Sequence, residues 1–504
     1  MNTRAKIKLD GKLSRTFEEH TGNRQGHVKA AGHFKAYINP CLDALNSADL
    51  GFYIGPIHVG SVCCADDTYV ISDRQSALQS AINIVSHYAR KYRVIFNASK
   101  TKIVVTGSKQ DMKYYQDVSP WSLDGGKVTV VTDNEHLGLV VSGQDEELKN
   151  VDRNISQCRK SLFGLLGPAL SYKSKVSPTA QLHLWKTYSL PVLRSGLSAL
   201  PVRPTIMKSM AMFQNKILRG FLKLSGGSPT PGLFFITGEP PIEATIHLDF
   251  LNLFHTILLN PETKVYQIVR YLLMMADEKS TTWSYHLKLL CIKYGLPDPL
   301  KLFESTPMTK QAWKSLTWTL VTSFHERELR AQALSNSNLR FLNVQLLGLS
   351  GKPHPALYNI TETREALKFR AHIKLLTGDF PSYELLGNQR GTDLHCRLCP
   401  APIESTQHIL TLRQATSAEH ERLFPELLNI LKRIQPSNGI LLDHIVPKDV
   451  LTQFLLDPTS MNLSNRYRVP IQHPKLGEVF RFVRDWCYAV TCSRSKLLIS
   501  RNAS

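Results

Sequence analysis

The chain has 504 residues, and its 61 lysines and arginines against 41 aspartates and glutamates give a formal charge of +20. That length and a 42% hydrophobic content support two to four domains with real cores. The charge points to a polyanionic partner, held through phosphate contacts and therefore sensitive to salt; the alternative is a basic protein whose charge is incidental. Met1 to Arg15 has basic residues but no apolar stretch, so it does not read as a secretory signal. The longest apolar stretch, near Leu248 to Leu259, is too short to span a bilayer, and no membrane partner is expected. The nine cysteines then read as reduced thiols of a nuclear or cytoplasmic chain, not a secreted one.

In chain order, Ile7 to Lys12 places Asp10-Gly11 between apolar and basic residues, a hairpin turn signal. Ala30 to Leu45 reads as a helix. Two β-prone runs, Ile57 to Cys63 and Thr68 to Ser72, flank Cys64-Ala65-Asp66-Asp67 and predict a hairpin with both carboxylates at its tip. Leu78, Ile82, Val85, Tyr88 and Tyr92 have helical spacing, and Ile103-Val104-Val105 reads as a strand. Beyond Gly143 the pattern turns helical: Asn150 to Leu170, Pro178 to Leu190 and Thr205 to Leu224. Ser225 to Gly232 is a turn-rich break. Further helices are predicted over Ala244 to Leu259, Lys264 to Asp277, Ser284 to Lys293 and Thr309 to Leu334. The chain beyond Arg413 reads as helical with no functional assignment. The fold class is therefore α+β, an antiparallel sheet with helices, followed by a mostly α-helical region.

An adjacent Asp-Asp pair is ordinarily a solvated turn, because turns favour aspartate for backbone reasons. Two clustered carboxylates are also what two-metal phosphoryl transfer needs, since hard oxygens hold Mg²⁺. The neighbours favour the second reading. Gly22-Asn23-Arg24-Gln25-Gly26 lies upstream; Asn97-Ala98-Ser99-Lys100-Thr101 and His136-Leu137-Gly138 lie downstream. In this order and spacing the segments resemble the palm of a reverse transcriptase from a non-long-terminal-repeat (LINE-type, jockey-like) retrotransposon, with the chain beginning in mid-palm. The resemblance implies an RNA-directed DNA polymerase with Mg²⁺ held by Asp66 and Asp67. It implies that Arg24, Gln25, Gly26, Cys64 and Ala65 face nucleotide and template, and that Lys100 assists pyrophosphate departure. His136, Leu137 and Gly138 would grip the primer. The partners implied are an RNA template and a DNA primer or target.

Several features depart from the family. Its third carboxylate lies on an earlier strand, and only 21 residues precede Gly22 here. Asp10 is better read as a turn residue, so the fingers and first catalytic strand look absent and the chain is expected to be inactive or weak alone. Cys64 stands where the family carries an aromatic ring. The alternative is a non-catalytic nucleic-acid-binding relic or recruited fragment.

The expected divisions are a partial palm over 1–143, a thumb-like region over 144–225, a helical connector over 233–350, a C-terminal region over 351–415 and a helical tail over 416–504. In the thumb-like region, Phe213 to Arg219 resembles a stretch of the same proteins. Lys216, Arg219 and Lys223 would either face phosphates or form a solvated basic face. Cys396, Cys399 and His408 have the spacing of three Zn²⁺ ligands and resemble the family's zinc-knuckle-like motif. The fourth ligand is due at Arg413, which cannot bind zinc. Zinc binding and a pair of buried cysteines beside a surface histidine both stay open.

Overall fold

The structure, a computed structural model, describes residues 3–19, 28–65, 67–117, 121–170, 176–277, 280–345, 347–360, 363–380, 394–411, 416–434, 446–460, 463 and 467–503. The chain divides into two compact units. The first comprises Met1–Glu146 with Pro261–Met274, the second Glu147–Asn260 with Met275–Ser504. Mixed α+β structure followed by helices is the class expected from the sequence. Among the described residues no helix is long and apolar enough to cross a membrane.

The core of the first unit packs short strands on two of its helices. Lys8–Leu9 pairs with Lys12–Leu13, and Asp10 (φ 49°) and Gly11 (φ 79°) supply the two left-handed residues that a tight hairpin turn requires. Thr3–Ala5 pairs with Phe17–Glu19 outside it. The helices Ala30–Ser47 and Gln75–Tyr92 bury Ile38, Cys41, Leu45, Ala81, Ile82, Val85 and Tyr88, one stripe from each. The Tyr88 hydroxyl donates to the Tyr37 carbonyl and the Tyr37 hydroxyl to the Tyr92 carbonyl, which ties the helices together. A three-stranded sheet closes the core in the order Trp121–Leu123, Gly126–Val131, Lys102–Val104, the last two strands being parallel.

One predicted strand is broken. Ile57–Val59 pairs back to Phe52–Ile54, whereas Ser61–Cys64 pairs with Asp67–Val70. The break falls at Gly60, beside the His58 ring. Its Nε2 accepts from the Gly51 amide at 3.1 Å, with the ring wedged between Gly51 and Gly60. A Cβ would lie 2.4 Å from that Nε2 at Gly51, and 2.9 Å from the ring's Cε1 at Gly60.

Much of the second unit shares a hydrophobic core that runs from Val151 to Val490 and includes Trp185 and Trp486, while Phe250, Phe254 and Trp313 are buried outside it. The helix Pro178–Leu184 continues through a π turn, Trp185–Ser189, into Leu190–Arg194. Pro191 has no N–H to offer the carbonyl four residues back, and the helix widens there. The terminal helix Leu476–Ala503 packs along Thr363–Leu376 and buries Val479, Phe480, Phe482, Val483, Trp486 and Val490. Each such side chain contributes about 1.5–3 kcal/mol of transfer free energy. Together they rival the net stability of a whole domain, about 5–15 kcal/mol, so this helix is part of the core. Buried Arg484 fastens it, donating to the carbonyls of Ala356 and Tyr358 (both 3.2 Å) and pairing with Glu365.

Candidate functional site

The hairpin around the carboxylates has Cys64 opposite Asp67, so two residues join its strands. Ala65 takes the left-handed conformation (φ 54°) that such a turn demands. Asp67 is therefore the first residue of the returning strand rather than part of the turn. It is exposed, as are Cys64 and Ala65. An exposed carboxylate at a hairpin end is a hard oxygen donor of the type that suits Mg²⁺. Asp66, Arg24, Gln25 and Gly26 lie outside the described residues.

Two further predicted segments are well formed. Asp133–His136 pairs with Leu139–Ser142, and Leu137 (φ 49°) and Gly138 (φ 77°) make a second turn of the left-handed type. Leu137 projects to solvent. The His136 ring lies 5.1 Å from that of Tyr69, so this hairpin and the Asp67–Val70 strand meet through an aromatic contact. Burial raises the Tyr69 hydroxyl above its ordinary range, with Glu146 adding to the effect. Lys100 sits in a turn organised by Asn97, whose side-chain oxygen accepts from Ser99 Oγ (2.7 Å) and the Lys100 amide (3.2 Å). The Lys100 side chain is exposed. An apolar cavity of about 160 Å³ lies behind the hairpin, lined by Tyr69, Val70, Leu78, Ile82, Phe96 and Val141 among others; neither Asp67 nor Lys100 reaches it.

Residues 2–136 match the reverse transcriptase (RNA-dependent DNA polymerase) family. No curated protein matches the chain. The reverse transcriptase match takes in both the carboxylate hairpin and the Asn97 turn, and ends at His136. Such domains act on RNA and DNA and generally use Mg²⁺. Leu137, Gly138 and the whole helical unit lie beyond it.

In the helical unit, the segment Phe213 to Arg219 engages the segment that follows Gly238. Gln214, buried on the helix Pro204–Leu222, donates to the Pro240 carbonyl at 3.0 Å and accepts from the Ile242 amide at 2.7 Å. Gly238 turns the chain into that segment with φ +69°, and a Cβ there would lie 2.1 Å from the Lys352 carbonyl. Glu239 is buried beside Lys186, 2.5 Å away. Burial raises its carboxyl and Lys186 opposes that rise. Arg219 is drawn inward, donating to Ser228 Oγ, the Ser228 carbonyl and Thr230 Oγ1. Lys223 is partly buried, and its ammonium is pushed down to about 8 by burial and then by Arg370. Lys216 alone of the three predicted cations is exposed, near Arg159.

The predicted zinc ligands converge. One ligand atom from each of Cys396, Cys399 and His408 lies within 4.8 Å of the other two. Cys399 Sγ is 3.4 Å from His408 Nε2. Two thiols and an imidazole are the donor types zinc takes. Burial raises the Cys396 thiol and lowers His408, and a bound cation would draw the thiol back to thiolate. Arg413 lies outside the described residues. Glu404 and Arg494 were not singled out from the sequence. Glu404 Oε2 is 3.6 Å from Cys396 Sγ, and Arg494 on the terminal helix binds the same carboxylate, with both side chains buried. Arg501 donates to the Arg397 carbonyl at 2.6 Å. The CxxC spacing exposes the ligands in the sequence, but nothing there points to an arginine 90 residues away.

Proposed function

We propose that this chain is a reverse transcriptase domain protein of non-long-terminal-repeat retrotransposon origin that binds an RNA template and a DNA primer. The observation that carries this reading is the hairpin register, Cys64 opposite Asp67, inside the family match. In the reaction a primer 3′ hydroxyl attacks the α-phosphorus of a deoxynucleoside triphosphate, and the bond to pyrophosphate breaks. Asp66 and Asp67 would hold Mg²⁺, which when bound neutralises phosphate charge and favours the attacking alkoxide. Arg24, Gln25 and Gly26, with Cys64 and Ala65, would position template and nucleotide. Lys100 would lie against the departing pyrophosphate and either protonate or neutralise it. The turn at His136, Leu137 and Gly138 would hold the primer. Cys396, Cys399 and His408 would hold Zn²⁺ as a structural ion.

Copying by this chain alone is expected to be weak, because Cys64 replaces the ring that would pack beside nucleotide or primer. The same replacement favours the second reading, a protein that holds nucleic acid without copying it. Primer extension on an RNA template with Mg²⁺, run on the chain and on Asp66→Ala and Asp67→Ala, separates the two. Extension lost in both variants supports catalysis. Salt-sensitive binding without extension supports the second reading, and extension that survives both substitutions would refute the assigned carboxylates.

A further inference from the structure

The helical unit holds a second polar cluster, built from three helices. Glu243 and His247 stand one turn apart on Ile242–Leu258, His325 comes from Lys310–Leu334, and Tyr294 ends Trp283–Tyr294. One ligand atom from each of Glu243, His247 and His325 lies within 4.8 Å of the other two. The Tyr294 hydroxyl joins the rings, 2.6 Å from Nδ1 of His247 and 3.0 Å from Nε2 of His325. Both histidines are buried, as is Tyr294.

We propose that Glu243, His247 and His325 bind a divalent transition-metal ion of the zinc class, separate from the Cys396 cluster. Two imidazoles and a carboxylate are a common zinc donor set, and an i, i+4 pair facing a third residue on a neighbouring helix is how a helical core brings such donors together. The Tyr294 hydroxyl binds one nitrogen of each ring and so fixes both ring orientations, leaving the other nitrogen of each for an ion. Lys293 is the competing cation. Its Nζ lies 2.6 Å from Glu243 Oε1 and over the rings of Tyr294 and Phe324, at 5.5 and 5.2 Å. An incoming ion takes the Glu243 carboxylate from Lys293, which keeps its place over the two rings. A purely structural reading, in which Tyr294 only satisfies two core histidines, leaves Glu243 with Lys293 and takes up no metal.

The test uses the full chain, stripped with chelator, reloaded with Zn²⁺ or Co²⁺ and desalted. Two retained ions are expected, one of them with only nitrogen and oxygen neighbours by X-ray absorption. In a Cys396→Ser/Cys399→Ser background that second ion stays. His247→Gln or His325→Gln releases it, and Tyr294→Phe weakens it roughly 10- to 100-fold. Lys293→Met tightens it, an effect a structural role would not produce. Retention of sulfur-coordinated metal alone in the unmutated chain overturns the proposal whether or not the cysteine variant folds. Affinity unchanged by the histidine substitutions overturns it too.

Discussion

Replacing Arg494 with methionine keeps the length of the side chain and removes its charge. In the folded chain Arg494 and Glu404 are nearly without solvent contact, 7% and 1% exposed, with Arg494 Nε 3.3 Å from the carboxylate. Glu404 is further fixed by its amide, which donates to the Leu394 carbonyl at 2.9 Å. The substitution leaves a buried carboxylate deprived of its cation, which costs about 3–5 kcal/mol, or roughly two to three and a half powers of ten in the opening equilibrium. The loss falls on the terminal helix and on the cysteine cluster it braces, because Arg494 belongs to one and Glu404 to the other. Hydrogen exchange across Leu476–Ala503 reads the local opening energy. Urea unfolding followed by tryptophan emission reads the wider effect, with buried Trp486 on the same helix. The double variant Arg494→Met/Glu404→Gln removes the stranded charge and should recover most of the loss. A cost below about 1 kcal/mol, or a double variant no better than the single one, would refute the reasoning, since an exposed pair is worth no more than that.

Gly238→Ala should destabilise the helical unit and lower its melting temperature, because the left-handed backbone costs about 1–2 kcal/mol for any residue with a Cβ and the Lys352 carbonyl must also move. Gln214→Leu should cost about 1–3 kcal/mol for each buried group it abandons, the Ile242 amide and the Pro240 carbonyl, measured by urea denaturation. Acid should weaken the helical unit. His372 and His325 are both lowered to about 4 by burial, so between pH 6.5 and 4 the unfolded chain takes up protons that the folded chain refuses. Stability is full above pH 6.5 and falls steadily toward pH 4, by about 1.4 kcal/mol per unit for each such group. Denaturation at pH 7 and pH 5 measures it, and equal midpoints would contradict the buried neutral state.

What could be read from the sequence was local. Asp10-Gly11 lies at the turn its residues suggested, and Gln75–Tyr92 buries Ile82, Val85 and Tyr88 of the stripe its spacing marked out while Tyr92 stays exposed. Cys396, Cys399 and His408 span 13 positions, a short enough reach for spacing alone to bring them together. Turn dihedrals and helical faces depend on residues a few places apart, so neighbours suffice to encode them. Tertiary structure decided the partners of the long polar side chains. Arg219 had the look of a phosphate ligand and turned inward to Ser228 and Thr230; Lys216, one turn earlier, stayed outside. A continuous β-prone run broke at Gly60, with the His58 ring seated between two glycines. The helix Lys264–Met275 falls for nearly its whole length in the first unit although its sequence neighbours belong to the second, and Tyr271 lies against Gly55. Glu404 met Arg494, and His247 met His325, across 90 and 78 positions of chain. Those meetings depend on the path of the backbone between them, which no short window of residues contains.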